Sequence, residues 1–496
     1  MEIIRNFPCL SILLAMFSAI ISSALKGTGA RRLSTFLVTA VGVMSACTLY
    51  MTTVTGESYV YMMGHFPAPL GNEIRFGSLE AGMALFFCVI MLLSLNGGRR
   101  KIKLEIDPDK ENLYYIMVDM LLSSLLALVY TNDMFTAYVF VEINTIAACG
   151  LIMIMESGRA IEAATRYMIM SLLGSGLFLI GLCMMYDMTG HLLMSSMHES
   201  VLQIASEGSY IVPLLVTIAL MVVGLAIKSA LFPFHAWLPD AYGYSTVSSA
   251  AMLSSLVSKG YIFLLIKIIY RVIGFDIFVQ SRIINVLFVF GLAGMIMGST
   301  SAIRENDIRR MISYSSVAQI GYIYMGFGLG TQAGMIASIF HILAHAATKS
   351  LLFVSGVGLT DVADDNKQFI ELTGAAYRNV CAGLAFTVGS LSMVGIPLFS
   401  GFISKLLFSQ AAVQGNLKML PALIVLAIST ILNTIYFMKT VIRIYTPIRS
   451  NYASVSAKEN PLYVFTLLCF VVLNIALGMC SQPITDWITQ GLSVFA

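Results

Sequence analysis

The chain has 496 residues, of which 58% are hydrophobic and only 11% are charged, and its mean hydropathy is +0.85. These values exclude a soluble globular protein and are typical of a helical membrane protein with many spans. The formal net charge is +3, from 29 Lys and Arg against 26 Asp and Glu, which gives no reason to expect nucleic-acid binding.

Apolar segments recur along the whole chain. With about 20 residues per span, the sequence predicts an all-α polytopic membrane protein with about 14 transmembrane helices. No soluble domain fits between them, and the first segment lacks a clear cleavage site, so we expect it to be a retained span. The segments centre roughly on residues 16, 43, 87, 122, 145, 175, 222, 257, 293, 319, 345, 396, 432 and 471.

The basic residues predict the orientation of the spans. The loops after even-numbered segments and the N-terminus hold five of them, namely Arg5, Arg75, Arg271, Arg282 and Lys418, and six lie within or beside spans, namely Lys228, Lys259, Lys267, Lys349, Lys405 and Lys439. All others, including Arg449 and Lys458, follow odd-numbered segments. Because cytoplasmic loops are enriched in Lys and Arg, we expect both termini on the non-cytoplasmic side of the cell membrane.

Glu142 lies about nine residues into the fifth segment, if that segment begins near Asp133. A charge at mid-membrane is costly and usually marks an ion path. We expect Glu142 to face Lys228 of the seventh segment, in a pair whose separation and re-formation would switch the charge of the lysine. The alternative is a purely structural salt bridge.

Two segments combine a lysine with a proline that interrupts the helix. They read AIKSALFP at residues 226–233, with Lys228, and GIPLFSGFISK at residues 395–405, with Lys405. Interrupted helices expose backbone groups that hydrocarbon cannot satisfy, so they usually line watery paths for ions. The sequence therefore predicts broken helices 7 and 12 in an ion-translocating protein.

The eighth segment carries Lys259 near its middle, and Lys267 and Arg271 follow two and three turns later. We assign Lys259 to the ion path, because a lysine in an apolar environment can lose its charge whereas an arginine stays charged. Lys267 and Arg271 lie near the predicted end of the span, where their long side chains can snorkel outwards.

The eleventh segment carries His341, His345 and Lys349 at a spacing of four residues, which places them along one stripe of a helix. His-x3-His is also a zinc spacing, but no HExxH glutamate and no obvious third ligand lie nearby. A proton path is the favoured interpretation. An interhelical hydrogen bond remains an alternative for His341.

The spacing of the two broken helices suggests an internal repeat of five helices, over spans 4–8 and 9–13. Asn-Asp pairs precede the fifth and tenth segments, at residues 132–133 and 306–307. The predicted organisation is residues 1–110 for the first three helices, 111–275 and 276–448 for the two repeats, and 449–496 for the last helix and tail. An odd number of helices per unit requires inverted repeats if both units share a fold.

Four stretches resemble the antiporter-like subunits shared by respiratory complex I, Mrp cation/proton antiporters and membrane-bound hydrogenases. They are FVE at residues 140–142, FHAWLPDA at 234–241, DIRRMISYSS at 307–316 and the stretch that ends at Lys405. The resemblance, over about residues 110–445, implies 14 helices with two inverted repeats and a mid-membrane chain of ionisable residues. It assigns the family's functional positions to Glu142, Lys228, Lys259, His341, His345, Lys349 and Lys405.

The resemblance implies a subunit that moves H+, with Na+ as a second candidate ion, inside a multisubunit complex with other antiporter-like subunits. Lys405 resembles the Mrp D-type and complex I N-type subunits, because another complex I subunit type carries glutamate there. We expect no cofactor or metal in this chain. A stand-alone solute transporter and a structural scaffold remain alternatives, and Glu80, Lys267 and Lys439 have no assigned role.

Overall fold

The structure is a computed structural model that describes residues 2–66, 71–208, 210–447 and 460–495, most of which are helical. Arg449 and Lys458 from the charge pattern, and the expected domain boundary at residues 448–449, lie outside the described residues. The helices, in chain order, are α1 (Glu2–Arg5), α2 (Phe7–Ser23), α3 (Gly27–Thr55), α4 (Ser78–Gly97), α5 (Arg99–Glu105), α6 (Glu111–Tyr130), α7 (Met134–Met153), α8 (Gly158–Thr189), α9 (Met194–Glu207), α10 (Ile211–Lys228), α11 (Leu238–Tyr244), α12 (Val247–Met252), α13 (Ser258–Ile268), α14 (Phe275–Gln280), α15 (Ile283–Arg304), α16 (Ile308–Leu329), α17 (Gln332–Asp361), α18 (Ala375–Arg378), α19 (Val380–Val394), α20 (Ser400–Val413), α21 (Met419–Ile444), α22 (Pro461–Met479) and α23 (Ser481–Phe495).

Short irregular elements complete the fold. Two strands, β1 (Tyr59–Met62) and β2 (Glu73–Phe76), form an antiparallel hairpin between α3 and α4. Three short 3₁₀ turns cover Met63–His65, Pro108–Lys110 and Asn416–Lys418. Two π-helical turns, Leu253–Val257 and Ile269–Ile273, join α12 to α13 and extend α13, so that Val247–Ile273 is one continuous helical stretch.

The helices confirm a polytopic all-α membrane protein. Within the described residues, 11 helices are long and apolar enough to cross a membrane, while α2 and α19 are apolar but shorter. The expected segment centres fall within helices, apart from residue 396, which lies in the break between α19 and α20. The broken seventh and twelfth segments appear as the ends of α10 at Lys228 and of α19 at Val394.

The Asn-Asp pairs before α7 and α16 are built in the same way. Asp133 accepts a hydrogen bond from the backbone N–H of Thr136, and Asp307 accepts from those of Arg309 and Arg310, as is common for residues that cap a helix N-terminus. Each pair also forms an antiparallel bridge with the segment that follows the next long helix, Asp133 with Leu193 and Asp307 with Gln368. The two halves of the chain therefore share a capped helix start with an antiparallel bridge. In the sequence, only the Asn-Asp pairs indicate this similarity.

Burial separates an inner layer of helices from an outer one. The most apolar windows of α17 and of the 247–273 stretch are buried along their whole length, whereas α3, α8 and α21 leave large apolar side chains exposed. An apolar exposed surface of this extent suits lipid rather than water. The inner helices carry Lys259 and Lys349, and the interrupted helices α10, α19 and α20 pack against them.

Ion pairs join the loops on the arginine-rich face. Asp240 pairs with both Arg166 and Arg310, and Arg310 also pairs with Glu305 at 3.1 Å. Lys101, which follows α4, pairs with Asp361 and Asp365 beside the end of α17. Burial alone would lower the pKa of Lys101, but the two carboxylates raise it above its ordinary value. Together with the pair of Arg309 and Glu105 at 3.7 Å, these contacts place α11, the first turns of α8 and the loops after α4, α15 and α17 on the same side of the molecule.

The expectation that Lys267 and Arg271 snorkel outwards is wrong. Both side chains are buried, because each finds polar partners inside the protein. The Lys267 amine donates to the carbonyls of Leu128, Val129 and Thr131 at the C-terminal end of α6, where cations are favoured. Arg271 pairs at 2.5 Å with Glu80, which gives the third-segment glutamate a structural partner.

Candidate functional site

Glu142 and Lys228 face each other across α7 and α10. The Lys228 Nζ lies 3.7 Å from Glu142 Oε1, and a shorter hydrogen bond of 2.7 Å runs from the same amine to the Thr145 hydroxyl. The lysine is buried, whereas the Glu142 side chain is 25% exposed. The amine therefore has a charged partner and a neutral partner on one helix, three residues apart.

Lys228 is the last residue of α10, so its position follows from the break in that helix. The C-terminal end of a helix carries unpaired carbonyls and a partial negative charge, which favours a cation there. α8 approaches α10 closely at this level, because a Cβ added to Gly174 would lie 2.8 Å from the Gly224 carbonyl and 3.0 Å from Lys228 Cγ. The glycine contact fixes the stem of the lysine between two helices.

A group of buried polar side chains surrounds the Lys228 amine. The amine lies 5.4 Å from the ring centre of Tyr261, which is on α13. The Tyr261 hydroxyl is 3.3 Å from Thr145 and donates to Asn144 at 3.1 Å, and Asn144 in turn donates to Ser124. These contacts connect the Glu142–Lys228 pair to the helical stretch that carries Lys259.

Lys259 lies two residues beyond the first π-helical turn, which ends at Val257. Its Nζ donates to the Ser254 carbonyl at 2.5 Å and to the Ser258 hydroxyl at 3.1 Å. A π turn leaves a backbone carbonyl poorly paired, and such turns occur often at functional sites. The described part of the chain places no carboxylate in an ion pair with Lys259, which is fully buried.

His341, His345 and Lys349 lie on one stripe of α17, as predicted. The two imidazoles stack with ring centres 5.8 Å apart, and His341 Nδ1 lies 2.6 Å from the Ser404 hydroxyl. Neither ring nitrogen of His345 has a hydrogen-bond partner among the described residues. Lys349 donates to the Ile312 carbonyl at 2.9 Å and to the Ser315 hydroxyl.

Lys405 lies on α20, beyond the second helix break. Its amine donates at 2.7 Å to the carbonyl of Val394, the last residue of α19. Gly395 makes this approach possible, because it has a φ of +93° and a Cβ added there would lie 3.0 Å from Lys405 Cδ. The second break therefore presents the C-terminal end of α19 to a lysine amine, whereas at the first break the lysine is itself the last residue of α10.

Serines connect the lysines of the inner helices. Ser315 accepts from Lys349, and the neighbouring Ser316 lies 3.1 Å from Ser254, whose carbonyl accepts from Lys259. The structure thus places the predicted residues in two groups. Glu142 and Lys228 form the first, and in the described chain no direct hydrogen bond joins Lys228 to Lys259. The second group consists of Lys259, His341, His345, Lys349 and Lys405.

Several polar side chains at the site were not predicted from the sequence. Thr145, Tyr261, Ser315 and Ser404 contact the ionisable residues directly. A usable signal was present for Ser404, which immediately precedes Lys405. Asp119 of α6 was also missed, although a carboxylate within a span is itself a signal, and it accepts hydrogen bonds from Ser18, Ser22 and Ser34.

A family model described as "NADH:quinone oxidoreductase/Mrp antiporter, TM" matches residues 131–432, more than half of the chain. The chain belongs to this family. The matched range contains all seven predicted site residues, and the family expected from the four sequence stretches is confirmed. A relative within the family is NADH-quinone oxidoreductase subunit N from Desulforudis audaxviator (strain MP104C), 31% identical over 443 residues, which cover 89% of this chain and 86% of that protein.

Two solved structures share the fold of this chain. A chain in the membrane-bound sulfane sulfur reductase, an archaeal respiratory membrane complex, superimposes with a TM-score of 0.89 at 24% identity, covering 100% of this chain and 98% of that chain. A chain in the Mrp complex from Dietzia sp. DQ12-45-1b gives a TM-score of 0.86 at 23% identity, covering 99% and 97%. At these identities the likeness shows the fold alone.

Proposed function

We propose that this chain is a proton-translocating, antiporter-like subunit of a multisubunit complex in the cell membrane. The observation that carries the proposal is the placement of Lys228, Lys259 and Lys349 deep among the spans, where they are almost fully buried. A buried amine without a tightly bound carboxylate has a small energy difference between its charged and neutral forms. Such amines suit a relay in which each lysine loses and regains a proton as its neighbours change charge.

The proposed path begins at the Glu142–Lys228 pair and runs through Lys259 to the α17 histidines, Lys349 and Lys405. Glu142 and Lys405 are both partly exposed at the outer surface of the chain, whereas the residues between them are buried. A line that opens at both ends can exchange charge with neighbouring subunits. The two solved structures with this fold are chains of an archaeal respiratory membrane complex and of an Mrp complex. We therefore expect the partners of this chain to be other membrane subunits of such a complex.

The groups along this path are better suited to the transfer of protons than to the passage of a larger solute. The gaps between the lysines contain serine and threonine hydroxyls and the nitrogens of His345, which have no partner among the described residues, and such groups both donate and accept hydrogen bonds. Buried nitrogens without a protein partner are costly unless water reaches them. Water at His345 would complete a hydrogen-bonded relay between Lys259 and Lys405.

The same proposal includes the finer topology. It assigns 14 spans, with both termini on the non-cytoplasmic side, and two inverted five-helix repeats at residues 111–275 and 276–448, preceded by residues 1–110 and followed by 449–496. The matching Asn-Asp bridges before α7 and α16 and the lysine at each helix break support the repeat. The ion pairs that unite the arginine-rich loops support the orientation.

The test is proton uptake by vesicles that contain the complex with this chain. Lys259→Met should abolish uptake while the complex assembles normally, because the central amine of the path is lost. Lys439→Met is the matched control, since Lys439 also lies within a span but is exposed, and it should retain uptake. Unchanged uptake with Lys259→Met would assign the buried charges to a structural scaffold.

A further inference from the structure

An open cavity of about 420 Å³ lies on the arginine-rich face between α3, α4 and α6. Three arginines line it: Arg31 and Arg32 from the first turns of α3, and Arg99 just beyond the end of α4. Polar groups of Asn96 and Tyr115 complete the wall. The candidate proton path uses none of these residues.

The charges of this cavity are only partly balanced. Arg31 forms an ion pair with Glu111 at 3.7 Å. Arg32 and Arg99 are exposed, and neither forms an ion pair in the described part of the chain. The cavity therefore presents two uncompensated guanidinium groups, which bind phosphate oxygens in a fork geometry.

An apolar track leads away from the cavity along α3. Phe36, which lines the cavity, is 71% exposed, and Val43 and Tyr50 follow at seven-residue intervals on the same face, also exposed. Arg32 lies one turn above Phe36, a rise of about 6 Å. A basic pocket that continues into an exposed apolar stripe matches the two parts of a phospholipid. The arginines would contact the phosphate, and the apolar stripe would contact an acyl chain.

We propose that this cavity binds the headgroup of an anionic phospholipid, whose acyl chain lies along Phe36, Val43 and Tyr50. Basic pockets between transmembrane helices are typical sites for anionic lipid headgroups. A lipid explains both the arginines and the apolar stripe, whereas a free phosphate explains only the arginines. The inference rests on the membrane-spanning fold and not on the proton path.

Native mass spectrometry of the intact complex, extracted from vesicles of equal parts phosphatidylglycerol and phosphatidylcholine, tests the proposal. The wild type should retain phosphatidylglycerol in preference to phosphatidylcholine. Arg32→Ala with Arg99→Ala should lower its affinity roughly 30-fold, which corresponds to about 2 kcal/mol for two arginines. The control pair Lys103→Ala with Arg304→Ala, two exposed cations outside the cavity, should leave it unchanged.

Two further measurements identify the ligand. Arg32→Lys with Arg99→Lys keeps the charge and should retain most of the bound phosphatidylglycerol, while Phe36→Ser should weaken binding without any change in cavity charge. Equal lipid occupancy in the arginine variant and the wild type would overturn the proposal, as would complete displacement by excess inorganic phosphate. Loss of complex assembly with unchanged lipid per assembled complex would assign the arginines to a neighbouring subunit and overturn it too.

Discussion

The Lys228 amine is closer to the Thr145 hydroxyl, at 2.7 Å, than to the Glu142 carboxylate, at 3.7 Å. The two partners lie three residues apart on α7, so a small movement of the amine changes it from a neutral partner to a charged one. A tightly hydrogen-bonded ion pair would resist such a change. This geometry suits a lysine whose charge has to be switched. Thr145 acts as the neutral partner of the Lys228 amine.

Thr145→Val should therefore lower proton uptake while Glu142 and Lys228 remain in place. The substitution removes the hydroxyl at nearly constant volume and leaves the buried amine without its nearest partner. We expect an intermediate rate of uptake by vesicles, between those of the wild type and Lys228→Ala. Thr165→Val is the matched control, because the exposed Thr165 hydroxyl bonds to the Ile161 carbonyl of its own helix. Equal loss in both variants would contradict the role of Thr145.

Gly395→Ala should displace the Lys405 side chain, although Lys405 itself is not substituted. The φ of +93° is strained for alanine, and the new Cβ would lie 3.0 Å from Lys405 Cδ. Proton uptake should fall towards that of Lys405→Met. Gly356→Ala is the control, since nothing lies within 4 Å of a Cβ added there. Normal uptake by Gly395→Ala would show that the close approach has no role.

The buried pair of Arg271 and Glu80 should act mainly on stability. Removal of one partner leaves an uncompensated buried charge, at a cost of about 3–5 kcal/mol. We expect Arg271→Met to lower the midpoint of thermal unfolding of the purified complex, and Glu80→Gln combined with it to recover part of the loss. The absence of any recovery in the double variant would show that the two side chains do not depend on each other.

Lys367, in the loop after α17, should make stability depend on pH. Burial, followed by the nearby Arg309, lowers the pKa of Lys367 to about 8. Between that value and the ordinary lysine pKa, the unfolded chain holds a proton that the folded chain does not, so folding becomes more favourable as pH rises. The melting temperature of wild type relative to Lys367→Gln should rise from pH 7 to pH 9. Exposed Lys103→Gln should show no such trend relative to wild type.

The parts of the fold that depend on one helix were predictable from the sequence, and those that depend on packing between helices were not. Apolar length gave the span positions, and the four-residue spacing gave the stripe of His341, His345 and Lys349. The three carbonyl partners of Lys267 come from the end of α6, more than 100 residues away, so a lysine near a span end was wrongly expected to reach outwards. The Ser315 contact to Lys349 was hidden for the same reason.

The most direct measurement for the whole account is proton uptake by vesicles that carry the complex with Lys228→Ala or Glu142→Gln in this chain. The amount of this chain in each purified complex is measured alongside uptake, because the buried Lys228 stem packs against α8 at Gly174. The account predicts no uptake with Lys228→Ala and nearly as large a loss with Glu142→Gln. Normal uptake by the assembled Lys228→Ala complex would contradict it.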